Sequence, residues 1–178
     1  MSPRMVRLAA ALCFGALLTL SQTIPPGIGR GWMPEFNHAA RQTVALAEAI
    51  PAEKFAWRPG PGVRSVSEVL MHITLGNYFL LGQAGVKLPP DPKLSSDSEK
   101  TITAKADVIK LLKQSQDLVR ESYPKVDRQA KVKFFGNDTT AGGVLLRLLV
   151  HNHEHMGQLI AYARTIGVVP PWSQSGPQ

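Results

Sequence analysis

Hydrophobic residues recur at helical spacing in four stretches of the chain, separated by stretches rich in proline, glycine and polar residues. These stretches are residues 33–50, 66–82, 101–123 and 140–166. Recurrence at every third or fourth position is typical of a helix that packs one face against a core. No stretch shows convincing strand alternation, and residues 125–138 are predicted to be a loop. The pattern therefore predicts an all-α fold, a four-helix bundle.

Capping residues mark the ends of these helices. Ser65 and Glu68 have the spacing of a capping box, so the second helix is predicted to begin there. Asp138 or Thr139 is expected to cap the start of the fourth helix. Gly167 suits the position just past its end, because glycine readily adopts a left-handed backbone.

The N-terminus has the features of a secretory signal peptide, which we assign to residues 1–23. Arg4 and Arg7 supply a positive start, and residues 8–20 form a continuous apolar run of 13 residues. A helix needs about 20 residues to span a bilayer, so we favour cleavage over retention as an anchor. The protein is therefore expected to be exported, either to a periplasm or outside the cell. It would meet a membrane only if the signal segment were retained.

The remaining chain divides into three parts. Residues 24–30 are predicted to be a linker, residues 31–170 the helical bundle, and residues 171–178 a disordered tail. A bundle of this length suits one domain with a single core. The only cysteine, Cys13, lies in the signal segment. A disulfide framework, a thiolate nucleophile and a Cys-ligated zinc site are therefore excluded, and any metal must be held by His, Asp or Glu.

The basic charge of the chain does not indicate nucleic-acid binding. The formal net charge is +7, but the basic residues are scattered, and those of the third helix alternate with aspartates. No run of five or more basic residues and no basic-aromatic module is present. We interpret the charge as a solvated basic surface and expect no nucleic-acid partner.

Two histidines of the fourth helix have the spacing of metal ligands. His151 and His155 are four residues apart, which places them about 40° apart around the helix and about 6 Å apart along it. Two imidazoles so placed can reach one cation. His72 lies on an apolar face of the second helix in the same way. Three inward histidines can satisfy one another through a metal, but three separately hydrogen-bonded core histidines are the alternative.

His153 is predicted to lie outside this site, whereas His38 can line the mouth of the cavity. His153 is offset by about 200° from His151, so it cannot share a metal from the same helix face. We expect it at the surface or at an interface. His38 belongs to the first helix, and nothing in the sequence orients it.

Two further residues are candidates for a catalytic role. Glu154 completes the pattern H-x-x-E-H with His151 and His155, a metalloprotease signature in which the glutamate is a general base. That signature also needs an acidic ligand, so Glu154 can equally be an outer partner or a solvated residue. Gln158 lies one turn past His155 and can orient a ligand or a bound water. Gly157 beside it is expected to permit a close approach of helices.

Three segments together resemble the DinB/YfiT-like superfamily of metalloenzymes. They are WRPGPG at residues 57–62, SVSEVLMHI at residues 65–73 and HNHEHMGQL at residues 151–159. The resemblance implies a four-helix bundle that binds one divalent ion, zinc or nickel or a similar metal, through His72 and the pair on the fourth helix. It also implies frequent homodimers. The export signal departs from the family pattern, because most described members are cytoplasmic.

Three neutral imidazoles leave a divalent ion with an open coordination position, which is typical of a catalytic site. The expected function is a metal-dependent hydrolase that uses metal-bound water on a small-molecule substrate. One alternative is a transferase or isomerase that binds a small thiol at the metal. Such thiols are cytosolic, so export favours hydrolysis. The other alternative is a metal-binding bundle without turnover.

Overall fold

The computed structural model describes residues 28–174. The predicted signal peptide, most of the predicted linker and residues 175–178 of the predicted tail lie outside the described residues. The described elements, in chain order, are α1 (Trp32–Ala49), α2 (Val66–Gln83), α3 (Ser98–Thr101), α4 (Lys105–Ser122), β1 (Lys131–Phe134), β2 (Asn137–Thr140) and α5 (Ala141–Thr165).

The four long helices form the bundle that the hydrophobic pattern predicts. α2 packs against α4 and α5, and α1 packs against the same two helices. Two buried apolar clusters fill the interior, one around Leu70 and Leu112 and the other around Phe36 and Leu145. The predicted fold class is therefore confirmed. None of the described helices is both long and apolar enough to cross a bilayer.

The helix ends agree with most of the predicted caps. The Ser65 hydroxyl accepts from the Glu68 N–H at 3.3 Å, and the Glu68 carboxylate accepts from the Ser65 N–H at 2.6 Å, so the capping box is present. Gly167 has a φ of 82° just past α5. The cap of α5 is Thr140, whose hydroxyl accepts from the Gly143 N–H at 3.1 Å. Neither Asp138 nor Thr139 is the cap, because both lie before Thr140 in β2 and the helix begins at Ala141.

The third predicted helix is broken near its start. The single-turn α3 ends at Thr101 and α4 begins at Lys105, so the predicted start at residue 101 is wrong. The Lys105 ammonium donates to the Glu48 and Ile50 carbonyls at 2.7 Å each. This contact satisfies free carbonyls at the end of α1 and joins the first residue of α4 to that end. The break matters for the site, because it leaves α3 free to lie against α2.

A β-hairpin occupies the stretch that was expected to be a loop. β1 and β2 pair antiparallel, and Phe134 lies opposite Asn137. The turn between them consists of Phe135 and Gly136, both with positive φ. Strands of four residues are too short for their alternation to be distinguished from a loop, which is why the sequence did not predict them.

A chain of buried polar side chains links three helices of the bundle. The Asn152 amide donates to the Asn77 side-chain oxygen at 2.8 Å, and the Asn77 amide donates to the Ser115 hydroxyl at 3.1 Å. All three residues are buried. Buried polar groups are costly unless paired, so this chain favours a single register of α2 against α5. Asn152 follows His151, so the same register positions the metal site.

Candidate metal centre

The structure brings together the three histidines predicted as metal ligands. His72 comes from α2, and His151 and His155 come from α5, which runs antiparallel to α2. One ring nitrogen from each histidine lies within 4.8 Å of the others. The Nε2 atoms of His72 and His151 are 3.1 Å apart. His151 is buried, whereas His72 and His155 are partly exposed, so a ligand can approach from outside the bundle.

Side-chain partners fix the tautomers of two of these histidines. The Nδ1–H of His72 donates to the Glu99 carboxylate at 3.0 Å. The Nδ1–H of His155 donates to the Gln158 amide oxygen at 2.8 Å. Each ring therefore carries its proton on Nδ1 and presents a bare Nε2 lone pair to the centre. A hydrogen bond on the far nitrogen is the usual way in which proteins orient a metal-binding imidazole.

These two partners are themselves held in place. The Arg64 guanidinium contacts the other Glu99 oxygen at 2.6 Å. The Gln158 amide donates to the Tyr162 hydroxyl at 2.8 Å, and that hydroxyl donates to the Arg64 carbonyl at 3.2 Å. Both networks therefore converge on Arg64, the residue before the α2 capping box. They also border a cleft of about 540 Å³ beside the centre.

Burial keeps two of the histidines neutral. It is the main cause that lowers the pKa of His151 to about 3, and the adjacent histidines and Arg147 act in the same direction. Burial also lowers the pKa of His72, with Arg64 adding to the effect, although the Glu99 carboxylate opposes it. Neutral imidazoles are the form that binds a metal, because their lone pair is free. At neutral pH both residues are therefore ready to act as ligands.

The geometry of the donor atoms fits a divalent ion. Metal–nitrogen bonds of about 2.0–2.1 Å at tetrahedral angles separate two donors by roughly 3.3 Å. The observed 3.1 Å between the Nε2 atoms of His72 and His151 is close to that spacing. Among the described residues, the buried Nδ1 of His151 has no hydrogen-bond partner. Because the His72 proton is on Nδ1, its Nε2 can only accept, so the His151 Nε2–H donates to it.

A glycine of α2 makes room for His151. Gly76 lies one turn past His72, and a Cβ built on it would overlap the His151 ring, 2.9 Å from Nδ1 and 3.2 Å from Nε2. Any side chain at this position would therefore displace a predicted ligand. Gly157 is the opposite case, because a Cβ there would meet nothing within 4 Å. The expectation that Gly157 permits close helix approach is wrong.

The structure separates the remaining candidates from the three ligands. The Glu154 carboxylate forms two hydrogen bonds with the Arg147 guanidinium, at 3.0 and 2.6 Å. This pairing lowers the pKa of Glu154 and leaves it a weaker base. His153 lies away from the centre, where its Nδ1 contacts the Leu149 carbonyl at 3.0 Å. His38 is not among the residues that converge on the centre.

Sequence reasoning missed three residues of this site. Glu99 lies 27 positions from its partner His72, and nothing local to it indicated the contact. Nothing local to Arg64 indicated its contact with Glu99 either. Gly76 did carry a signal, because a residue four positions after His72 lies on the same helix face. A glycine there, opposite a histidine of a neighbouring helix, indicates space reserved for the ring.

Comparison with known proteins identifies the family. The sequence model of the DinB superfamily matches residues 35–159. The chain belongs to the DinB superfamily. Residues 35–159 include all three histidines, so the site lies inside the family's own region. A comparison with curated proteins found no match.

Two solved DinB-like proteins share the fold. One, from Bacillus cereus, is 18% identical, with a TM-score of 0.64 over 80% of this chain and 95% of that chain. The other, from Bacillus subtilis, is 20% identical, with a TM-score of 0.61 over 76% of this chain and 91% of that chain. At these identities the likeness supports the DinB-like bundle and concerns the fold alone.

Replacing Glu99 with glutamine is expected to weaken metal binding by about 10–100-fold, the usual effect of losing an outer partner of a ligand. The amide cannot accept the His72 Nδ1–H as strongly, so the tautomer with a bare Nε2 is less favoured. Zinc titration by calorimetry measures the affinity, and nitrogen NMR of the ring measures the tautomer. Glu48→Gln, a surface change in α1, is the control. Equal affinities in the two variants would contradict the assigned role.

The metal-free protein is expected to lose stability as the pH falls below neutrality. The pKa of His151 is about 3 in the folded state, against about 6.5 in an unfolded chain. The unfolded chain therefore binds a proton that the folded chain excludes, so the free energy of unfolding is highest above pH ~6.5 and falls below it. Between pH ~7.5 and ~5.5 the loss from His151 is about 1 kcal/mol. Urea denaturation at both values measures it, and His151→Phe should reduce the difference.

Proposed function

We propose that this chain is an exported metal-dependent hydrolase that acts on a small-molecule ester or amide. The observation that carries the proposal is the pair of oriented histidines. Nδ1 of His72 is held by Glu99 and Nδ1 of His155 by Gln158, so both bare Nε2 atoms face that of His151. A bound divalent ion supplies a Lewis acid with an open position, which can polarise a carbonyl and activate water.

The residues around the ligands support hydrolysis by positioning and by charge. Glu99 and Gln158 hold two imidazoles in one orientation, which reduces the reorganisation needed during a reaction. Arg147 lies one turn before His151 on the same helix, and its charge helps to lower the pKa of His151. A cation so close can also stabilise negative charge on a substrate oxygen. Its present partner is Glu154, which a substrate anion can replace.

The test is turnover by the zinc-loaded protein, purified without a His tag. Ester, amide and phosphoester substrates are assayed with and without a chelator, and His155→Ala serves as the variant that lacks a ligand. We expect turnover of an ester or amide that the chelator abolishes and zinc restores. Turnover that is indifferent to the chelator, or absent from the whole substrate panel, would contradict the proposal. A cobalt-substituted site whose spectrum shifts with a small thiol would favour thiol chemistry instead.

A further inference from the structure

Three phenylalanines form an exposed cluster where α2 meets the hairpin. The ring centroids of Phe134 and Phe135 are 4.4 Å apart, and Phe79 lies 6.4 and 6.0 Å from them. Phe79 is 46% exposed and Phe135 is 75% exposed. We call these three residues the aromatic wall. Exposure of this much aromatic surface in one place marks a site of interaction.

The aromatic wall is continuous with the metal centre. Phe79 lies seven residues after His72 and three after Gly76, on the same face of α2. It is therefore about 10 Å along the helix from His72 and about 4.5 Å from Gly76. Because Gly76 packs against the His151 ring, the wall begins within one turn of that ligand. Leu75, partly exposed, lies on the same outer face.

The backbone at the tip of the hairpin disfavours a bulky residue. The presence of Phe135 there indicates that its side chain has a role of its own. Phe135 has a φ of 48° and precedes Gly136 with a φ of 81°. A two-residue turn with both φ values positive favours asparagine, aspartate or glycine at its first position. A bulky residue is strained in this region. Strain of this kind is typical of functional sites, where it presents a side chain that the turn itself does not need.

The end of the centre that lies away from the aromatic wall is polar. Beyond His72 and His155, the cleft is lined by charged residues of both signs, including the Arg58–Glu68 and Arg64–Glu99 ion pairs and Lys100. The metal centre therefore lies between an apolar wall and polar surroundings. A molecule that matches both sides must itself have an apolar part and a polar part, joined near the metal.

We propose that the aromatic wall binds the apolar acyl chain of the substrate, so that the substrates are acyl esters or amides with a polar leaving group. This assignment rests on the proposed hydrolase function and adds its substrate class. A linear chain attached to a carbonyl at the metal can run along the outer face of α2, past Leu75, to the rings of Phe79 and Phe135. The polar leaving group then lies towards this polar cleft.

Binding of hydroxamates tests this assignment without requiring turnover. The hydroxamate group binds zinc, and the effect of its alkyl chain length on affinity measures contact with the aromatic wall. A methylene that is fully buried tightens binding about fourfold, and on a half-open wall we expect about twofold. Octanohydroxamate, with six more methylenes than acetohydroxamate, should therefore bind roughly fiftyfold more tightly to the zinc-loaded protein. Calorimetry measures both dissociation constants.

Variants of the wall should remove this chain-length effect and leave the zinc affinity unchanged. Phe79→Ala removes one ring. Phe135→Asn removes the most exposed ring and places a preferred residue in the turn, so this variant keeps its fold. Val169→Ala truncates an apolar residue that is 53% exposed and lies past α5. This control should retain the full ratio between the two hydroxamates.

The outcomes separate this assignment from the proposed function. A large chain-length effect that Phe135→Asn abolishes supports the wall even if no ester is hydrolysed. Equal affinities for the two hydroxamates, or the same ratio in all variants, overturn it even if hydrolysis is found. If zinc fails to bind, the NMR shifts of the Phe79 and Phe135 rings are measured with added octanoate. Shifts that change with octanoate support the assignment, and unchanged shifts overturn it. A dimer that Phe135→Asn converts to monomer in sedimentation would make the wall an interface between copies and would also overturn the assignment.

Discussion

Gly76→Ala is expected to abolish tight metal binding, although Gly76 is not itself one of the predicted ligands. The new methyl group would lie 2.9 Å from His151 Nδ1 and closer still to the adjacent ring carbon, so the ring must move. His151 is buried, and it has little space in which to move. Its Nε2 then leaves the position facing His72, and one of three donors is lost. We expect zinc affinity to fall by at least 100-fold, beyond the usual effect of an outer partner.

The stability of Gly76→Ala should show whether overpacking against His151 outweighs the gain in helix propensity from glycine to alanine. Alanine in place of glycine stabilises a helix interior by about 0.5–1 kcal/mol when nothing is in the way. Gly157→Ala is the matched control, because it lies in α5 with open space around its Cβ. We expect that control to gain stability and keep zinc, whereas Gly76→Ala should lose about 1–3 kcal/mol through overpacking. Urea denaturation and zinc titration measure both. A stabilised, zinc-binding Gly76→Ala would show that the ring is free to move.

Substitution of a ligand is expected to reduce the metal content from about one ion per chain to near zero in dialysed protein. Two imidazoles hold a divalent ion far less tightly than three, since each donor bond contributes directly to binding. His155→Ala is the preferred variant, because His155 is partly exposed and its loss leaves no large cavity. His151→Ala tests the buried ligand, with circular dichroism used to confirm that the chain remains folded.

A neighbouring histidine provides the control for that measurement. His153→Ala removes an imidazole from the same helix, but its Nδ1 contacts the Leu149 carbonyl and it lies away from the centre. We expect the His153 variant to keep the full metal content by elemental analysis. If it loses as much metal as His155→Ala, the assignment of ligands is wrong. If neither variant loses metal, the ion is bound elsewhere on the chain.

The helices and the histidine pair could be predicted because both follow from local spacing. His151 and His155 lie four residues apart on an apolar helix, and the capping box at Ser65 fixes where α2 begins. The place of the third histidine, His72, depends on how α2 packs against α5, which local spacing does not determine. That packing involves residues about 79 positions apart. Its role as a ligand followed from its inward face and from the family resemblance.

The outer parts of the site could not be predicted, because they depend on contacts without local periodicity. Glu99 reaches His72 only because the third helix breaks before Lys105 and α3 lies against α2. At that break, the Lys105 side chain contacts the end of α1. The hairpin depends on Phe135 adopting a positive φ that its residue type disfavours. In both places, contacts between distant parts of the chain override local preference.

Glu99 belongs to the connection between α2 and α4. One of its oxygens contacts His72, a predicted metal ligand, and the other contacts Arg64. An ion that fixes His72 therefore also restrains this connection, which is otherwise rich in exposed residues. Proteases cut exposed segments that open readily, and they cut restrained ones slowly. Loss of the ion would expose the connection to cleavage, so the lifetime of the protein would follow the metal supply around it.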